Sequence, residues 1–161
     1  MVAPSDVPPP STGFLIWHLS MKWRAGLDRR LAPLGLTSAQ YALLASLYAL
    51  SRDGARPSQR ELADFSDLEP MFVSKLVRAL ERAGLVERTP NPTDSRAVLL
   101  GVTPEGARTV AAARAEVVRL EERRLAPLGG RTSEQSNALR EALHLLLRAA
   151  DIGSPNEEEG S

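Results

Sequence analysis

Apolar residues recur at helical spacing along most of the chain, and the first two predicted helices follow from this pattern. Between Phe14 and Leu31 the apolar side chains fall on more than one helical face, which predicts a helix that is buried on several sides. Thr37, followed three positions later by Gln40, forms a capping-box pair that predicts the start of a second helix. This helix is predicted to end near Gly54.

Similar signals predict two shorter helices joined by a tight turn. Ser58, with Glu61 at the third position after it, is a second capping-box pair. Pro70 suits the first position of the next helix, because a proline there loses no hydrogen bond. Gly84 stands where a left-handed residue would end that helix.

A β-hairpin and two long helices are predicted for the rest of the chain. Residues 85–89 and 97–102 are short β-prone runs separated by a segment rich in proline and polar residues. Pro104 begins a helix that should end before the two glycines at 129 and 130. Thr132, with Gln135, predicts the start of the last helix.

The order of these elements defines the predicted fold class, which is mainly α with a small β-hairpin. Two helices, a tight turn, a further helix and a hairpin constitute a winged helix-turn-helix. The end helices present more apolar surface than a winged domain of about 70 residues can cover, which predicts a homodimer. The expected divisions are a disordered flank (1–11), a dimerisation helix (12–36), the winged domain (37–103), dimerisation helices (104–151) and a disordered acidic tail (152–161).

The helix that begins at Pro70 has two chemically different faces. At about 100° per residue, four of its residues fall within about 60° of one another, with Ser74 beside them: Met71, Lys75, Arg78 and Arg82. Apolar residues occupy the opposite side: Val73, Leu76, Val77 and Leu80. In a DNA major groove the cations could bind guanine edges, although the same stripe could be an ordinary solvated face.

The predicted hairpin tip adds a second candidate DNA contact. Asp94 and Arg96 are two residues apart and flank Ser95, so Asp94 could brace the Arg96 guanidinium for entry into a minor groove. The alternative is an exposed ion pair that contributes little. Residues 58–60 (Ser58, Gln59 and Arg60) begin the preceding helix, from which they could reach phosphates.

The run LEPMFVSKLVRALERAGLVERTPNPTDSRAVLLGVTPEG, residues 68–106, resembles the recognition helix and wing of MarR-type regulators. LERAGLVER, the DSR tip and TPEG occur in register, and LGLTSAQYALLASL and PSQRELADF extend the resemblance upstream. The resemblance implies a homodimer intertwined through its first, fifth and sixth helices and bound to a pseudo-palindromic duplex operator. It also implies DNA contacts from Ser74, Lys75, Arg78 and Arg96, and a repressor that a small ligand releases.

Such regulators often bind an aromatic effector between the dimer helices and the winged domain. The plausible lining residues, which combine aromatic surface with polar groups, are Trp17, His18, Met21, Tyr41 and Phe72. The alternative is that these side chains belong to the core. The chain has no cysteine, so the cysteine-based oxidant sensing of some relatives does not transfer.

Composition argues against several other functions. The two histidines lie on distant helices, and there is no phosphate-binding glycine loop or HExxH spacing, so no enzyme, cofactor or metal site is predicted. No apolar run is long enough for a membrane span, and no signal peptide is evident, which predicts a cytoplasmic protein. The formal net charge is zero. This balance slightly favours the alternative function, a winged-helix module that binds proteins rather than DNA, whereas the basic stripe and the arginine at the hairpin tip disfavour it.

Overall fold

A computed structural model describes residues 9–94 and 96–152. Most of the predicted N-terminal flank, nearly all of the acidic tail, and Ser95 at the hairpin tip lie outside the described residues. The chain forms two compact units, one ending at Val117 and the other beginning at Val118. The described residues form six α-helices and one antiparallel pair of strands, as predicted, together with three short 3-10 helices: α1 (Thr12–Leu31), α2 (Ser38–Leu50), α3 (Gln59–Ser66), α4 (Pro70–Arg82), β1 (Val86–Pro90), β2 (Val98–Val102), α5 (Pro104–Leu125) and α6 (Glu134–Ile152).

Two of the predicted capping boxes are present. The Thr37 hydroxyl accepts the Gln40 backbone N–H at 3.2 Å, and the Gln40 side chain accepts the Thr37 N–H at 2.8 Å. Ser58 and Glu61 make the equivalent pair of hydrogen bonds at the start of α3. These bonds satisfy backbone donors that a helix start leaves unpaired, which explains why α2 and α3 begin where they do.

The core of the first unit holds α4 by one face. Its largest fully buried side chains come from α1, α2, α3, α4 and β2: Leu31, Leu43, Leu44, Leu47, Leu62, Val73, Val77, Leu80 and Leu100. Burying a side chain of this size stabilises the fold by about 1.5–3 kcal/mol. The α4 helix is therefore anchored against α2 and α3, and its orientation is determined by packing.

The hairpin packs against the start of α3 and the start of α5. Val86 pairs with Val102 and Pro90 with Val98, so the register leaves residues 91–97 as the tip. The Leu100 N–H donates to the Pro57 carbonyl at 2.8 Å, which joins β2 to the start of α3. At the other end, a side chain on Gly106 would collide with the Leu85 carbonyl, so this glycine allows α5 to begin close to β1.

The first half of α1 is exposed to solvent. The prediction that this helix is buried on several sides is therefore wrong for the single chain. Its apolar side chains are between 42% and 56% exposed: Phe14, Leu15, Ile16, Trp17, Leu19 and Met21. Only Gly26 and Leu31 of this helix are buried. The core of the first unit therefore buries the end of α1, whereas the start of this helix is exposed to solvent.

The second unit contains the start of α6, which differs by one residue from the prediction. Ser133, not Thr132, is the cap, because its hydroxyl accepts the Ser136 N–H at 3.1 Å. The Ser133 hydroxyl also lies 2.6 Å from the Leu128 carbonyl, which holds it at the preceding turn. Along α6 the large apolar side chains are again exposed: Leu139, Leu143, Leu145, Leu146 and Leu147. In the described part of the chain, no helix combines the length and apolar character needed to span a membrane.

Candidate nucleic-acid interface

The two faces of α4 are separated in the structure as predicted. Val73, Leu76, Val77 and Leu80 are at most 8% exposed and pack into the core. On the opposite side, five residues line one shallow surface depression, which we call the α4 basic face: Met71, Ser74, Lys75, Arg78 and Arg82. An α-helix that is held by one face and presents cations on the other has a shape suited to a DNA major groove.

The cations of the α4 basic face are not neutralised by neighbouring carboxylates. Within the described residues, no ion pair involves Lys75, Arg78 or Arg82. Among the described residues outside this face, several arginines are paired with acids: Arg30–Glu116, Arg56–Glu87, Arg88–Glu81, Arg108–Glu105 and Arg131–Glu121. Because the formal net charge is zero, the positive charge of this face is balanced by acidic residues elsewhere in the chain.

A second depression, the wing groove, lies between the start of α3 and the hairpin. It brings together six of the predicted site residues: Ser58, Gln59, Arg60, Ser74, Asp94 and Arg96. Because Ser74 lines both surfaces, the wing groove and the α4 basic face adjoin. Residues separated by nearly forty positions in sequence therefore form one continuous polar surface.

Arg88, Asn91 and Glu61 also line the wing groove, and sequence reasoning missed them as site residues. The Arg88 guanidinium lies 3.5 Å from the Glu81 carboxylate, which links β1 to α4. Its Nε is buried without a hydrogen-bond partner among the described residues. No local signal in the sequence marked Arg88, because its place in the groove depends on how the hairpin packs on α4.

The hairpin tip is organised by backbone hydrogen bonds. Asp94 accepts the backbone N–H of Arg96 at 3.0 Å through its side chain, and the Ala97 N–H at 3.0 Å through its carbonyl. The predicted interaction between the Asp94 carboxylate and the Arg96 guanidinium is absent among the described residues. Asp94 therefore shapes the turn that carries Arg96, and the exposed Arg96 guanidinium has no ion-pair partner among the residues that the structure describes.

The start of α3 carries one negative charge into the wing groove. Glu61 accepts the Ser58 backbone N–H at 2.7 Å, and this hydrogen bond holds the pKa of Glu61 below its ordinary value. Glu61 is therefore ionised at neutral pH, and its carboxylate caps the start of α3 by accepting the Ser58 N–H. Arg60, next to it, is exposed and has no ion-pair partner among the described residues.

The candidate effector residues are only partly brought together. Trp17 and Met21 line a shallow groove on the first unit with Trp23, Leu27 and Ser38. The other three candidates do not line it. His18 stacks on Phe14 with ring centroids 5.7 Å apart, Tyr41 packs against the core, and Phe72 is 40% exposed on α4.

Comparison with known proteins gives the family. Residues 36–98, which include all of the candidate DNA contacts, match the MarR family. YdcH of Bacillus subtilis, an HTH-type transcriptional regulator, is 41% identical over 106 residues, or 66% of this chain and 72% of its own. This chain belongs to the MarR family. It is thus a transcription regulator and not an enzyme, as predicted.

Solved structures of the MarR family agree with the fold. A mutant of Escherichia coli MarR, complexed with operator DNA, superposes with a TM-score of 0.73 at 28% identity and covers 84% of this chain and 92% of its own. The Staphylococcus aureus MepR–DNA complex gives 0.75 at 25% identity, over 88% and 99%. The predicted winged helix-turn-helix is therefore confirmed. Among the described residues, no cluster of His, Asp or Glu could hold a metal ion.

Proposed function

We propose that this protein binds double-stranded operator DNA sequence-specifically as a homodimer and represses transcription until a small aromatic ligand releases it. The observation that carries the proposal is the division of α4 into a buried apolar face and an unpaired cationic face. E. coli MarR and S. aureus MepR have both been solved as DNA complexes, which supports the same role for this MarR-family chain.

The two surfaces would contact different parts of a duplex. Lys75 and Arg78 on the α4 basic face can donate to the O6 and N7 atoms of guanine in the major groove, with Ser74 beside them. Arg96 at the hairpin tip would enter the adjacent minor groove, where a narrow A·T tract concentrates negative potential. Ser58, Gln59, Arg60 and Ser95 would bind phosphates and position the helix.

The exposed apolar side chains of α1 and α6 support the homodimer. Apolar residues at about half exposure along both helices are surface that an isolated chain leaves in contact with water. A two-fold dimer would bury it and would present α4 twice, about one helical turn of DNA apart, to a pseudo-palindromic site. Bound there, the protein would obstruct transcription. We place this action in the cytoplasm.

The test is a binding selection with the full chain. A randomised duplex library and the DNA flanking its own gene are offered, and affinity for the selected duplex is measured by fluorescence anisotropy at several salt concentrations. We expect one enriched sequence and an affinity that falls steeply with salt. Enrichment of no duplex and no salt-sensitive binding would refute the proposal and favour the protein-interaction module.

Ligand release can be tested through intrinsic fluorescence. The chain contains two tryptophans, and both Trp17 and Trp23 line the groove on α1. A phenolic or benzoic acid that binds there should quench their emission and weaken DNA binding over the same concentration range. In Trp17→Phe the quenching should fall while operator affinity without ligand is retained. Quenching without any change in DNA affinity would contradict a regulatory ligand.

A further inference from the structure

We propose that Met71 is a specificity-determining residue that contacts the C5-methyl group of a thymine in each operator half-site. The inference rests on the proposed function and adds a base identity to it. Met71 is 85% exposed, whereas the other exposed large apolar side chains of the described residues are between 37% and 64% exposed. It is thus the most solvated large apolar side chain among them.

The position of Met71 matters more than its exposure, because isolated surface apolar residues are common. Met71 follows Pro70 in the first turn of α4 and lines the same depression as Lys75 and Arg78. It precedes Lys75 by four residues, so the two lie on the same side of the helix. In helix-turn-helix proteins the start of the recognition helix contacts base edges. The DNA-facing surface therefore begins with an apolar side chain.

Met71 has no role in holding α4 in place. The opposite face provides the anchorage through Val73, Val77 and Leu80, all of which are fully buried. Phe72, the neighbouring apolar residue, is about 100° further round the helix and does not line the α4 basic face. The side chain at position 71 is consequently available to a ligand on this face.

The chemistry of the major groove indicates what that ligand is. Methionine has no hydrogen-bond donor and only a weak acceptor, so it cannot read the polar edges of guanine, adenine or cytosine. Thymine displays a methyl group in the major groove, and it is the one apolar feature among the four bases. A flexible thioether side chain can adapt its rotamers to cover that methyl group.

The experiment removes only the methyl group. Each thymine of the selected duplex is replaced in turn by deoxyuridine, which still pairs with adenine, and affinity is measured for wild type, Met71→Ala and Met71→Leu. Burial of one methyl-sized group corresponds to about a fourfold change in affinity. We expect wild type to lose about fourfold at one thymine position in each half-site. Met71→Leu should retain most of this loss and Met71→Ala should show none.

The outcomes separate this inference from the proposed function. If wild type binds the duplex but discriminates against deoxyuridine nowhere, or if Met71→Ala discriminates as wild type does, the inference is wrong and DNA binding stands. If no duplex is enriched, both fail. Unfolding by urea should give the same midpoint for wild type and Met71→Ala, since the side chain is exposed. A lower midpoint would indicate a packing role and would also overturn the inference.

Discussion

The side chain of Asp94 accepts the backbone N–H of Arg96 at 3.0 Å, so a carboxylate at the hairpin tip holds the chain and not the guanidinium. An asparagine could accept the same hydrogen bond without a negative charge beside the DNA. We therefore expect Asp94→Asn to bind the selected duplex at least as tightly as wild type. Asp94→Ala, which leaves the turn without its acceptor, should bind more weakly. Anisotropy titration measures both. Equal weakening in the two variants would mean that the charge matters, as a guanidinium brace would require.

The free guanidinium of Arg96 gives a second prediction. If it neutralises DNA phosphates from each wing of a dimer, Arg96→Ala should lower the slope of log affinity against log salt by about 1.8, or about 0.9 for each phosphate that is no longer neutralised. Arg108→Ala is the matched control, because Arg108 is exposed on α5, pairs with Glu105 and lines neither DNA-facing surface. An unchanged slope in Arg96→Ala would exclude Arg96 from the interface.

The two faces of α4 should separate stability from binding. Leu80 is 1% exposed, and replacing such a leucine by alanine costs about 2–5 kcal/mol of unfolding free energy. Lys75→Ala, on the exposed face, should change this free energy by less than about 0.5 kcal/mol and should instead alter the preferred bases. Urea unfolding at fixed protein concentration and a repeated library selection measure the two effects. A Lys75→Ala protein with unaltered base preference would mean that this face does not read sequence.

Features set by local spacing could be predicted from the sequence. The division between Met71 and Val73 was predictable because helical periodicity alone determines which residues share a face. The Thr37–Gln40 and Ser58–Glu61 caps were predictable because their hydrogen bonds join residues three apart.

Contacts between distant segments were not predictable in this way. The proximity of Arg88 to Glu81 and to the wing groove depends on how the hairpin packs on α4. The exposure of Trp17 was missed because an apolar pattern indicates that a surface will be covered but does not say which chain covers it.

The Ser58–Glu61 cap predicts a pH dependence of stability. The pKa of Glu61 is lowered in the folded chain by the Ser58 N–H, so the contribution of this hydrogen bond to stability is fully present above the ordinary pKa of 4.5. That contribution is lost as the pH falls through the lower folded-state value. Glu61→Gln keeps an acceptor without a titrating charge, so its stability should fall less than that of wild type between pH 5 and pH 3. Urea midpoints across this range measure the difference, and parallel curves would contradict it.

The apolar stripe of α6 predicts the dimer. At about 100° per residue, Leu139, Leu143 and Leu146 share one side of the helix, and Leu145 lies on the other. Leu146 and Leu145 are 51% and 64% exposed in the chain, so a glutamate at either position should leave the monomer folded. In a dimer joined through the stripe, Leu146→Glu would bury an unpaired carboxylate at the interface, whereas Leu145→Glu would not.

We therefore expect sedimentation to give a dimer for wild type and Leu145→Glu, and a predominantly monomeric Leu146→Glu with weaker binding to the palindromic duplex. The loss of affinity should be small for a single half-site, because one winged domain suffices there. A monomeric wild type, or a Leu146→Glu variant that remains a dimer with full affinity, would contradict a dimer joined through this side of α6.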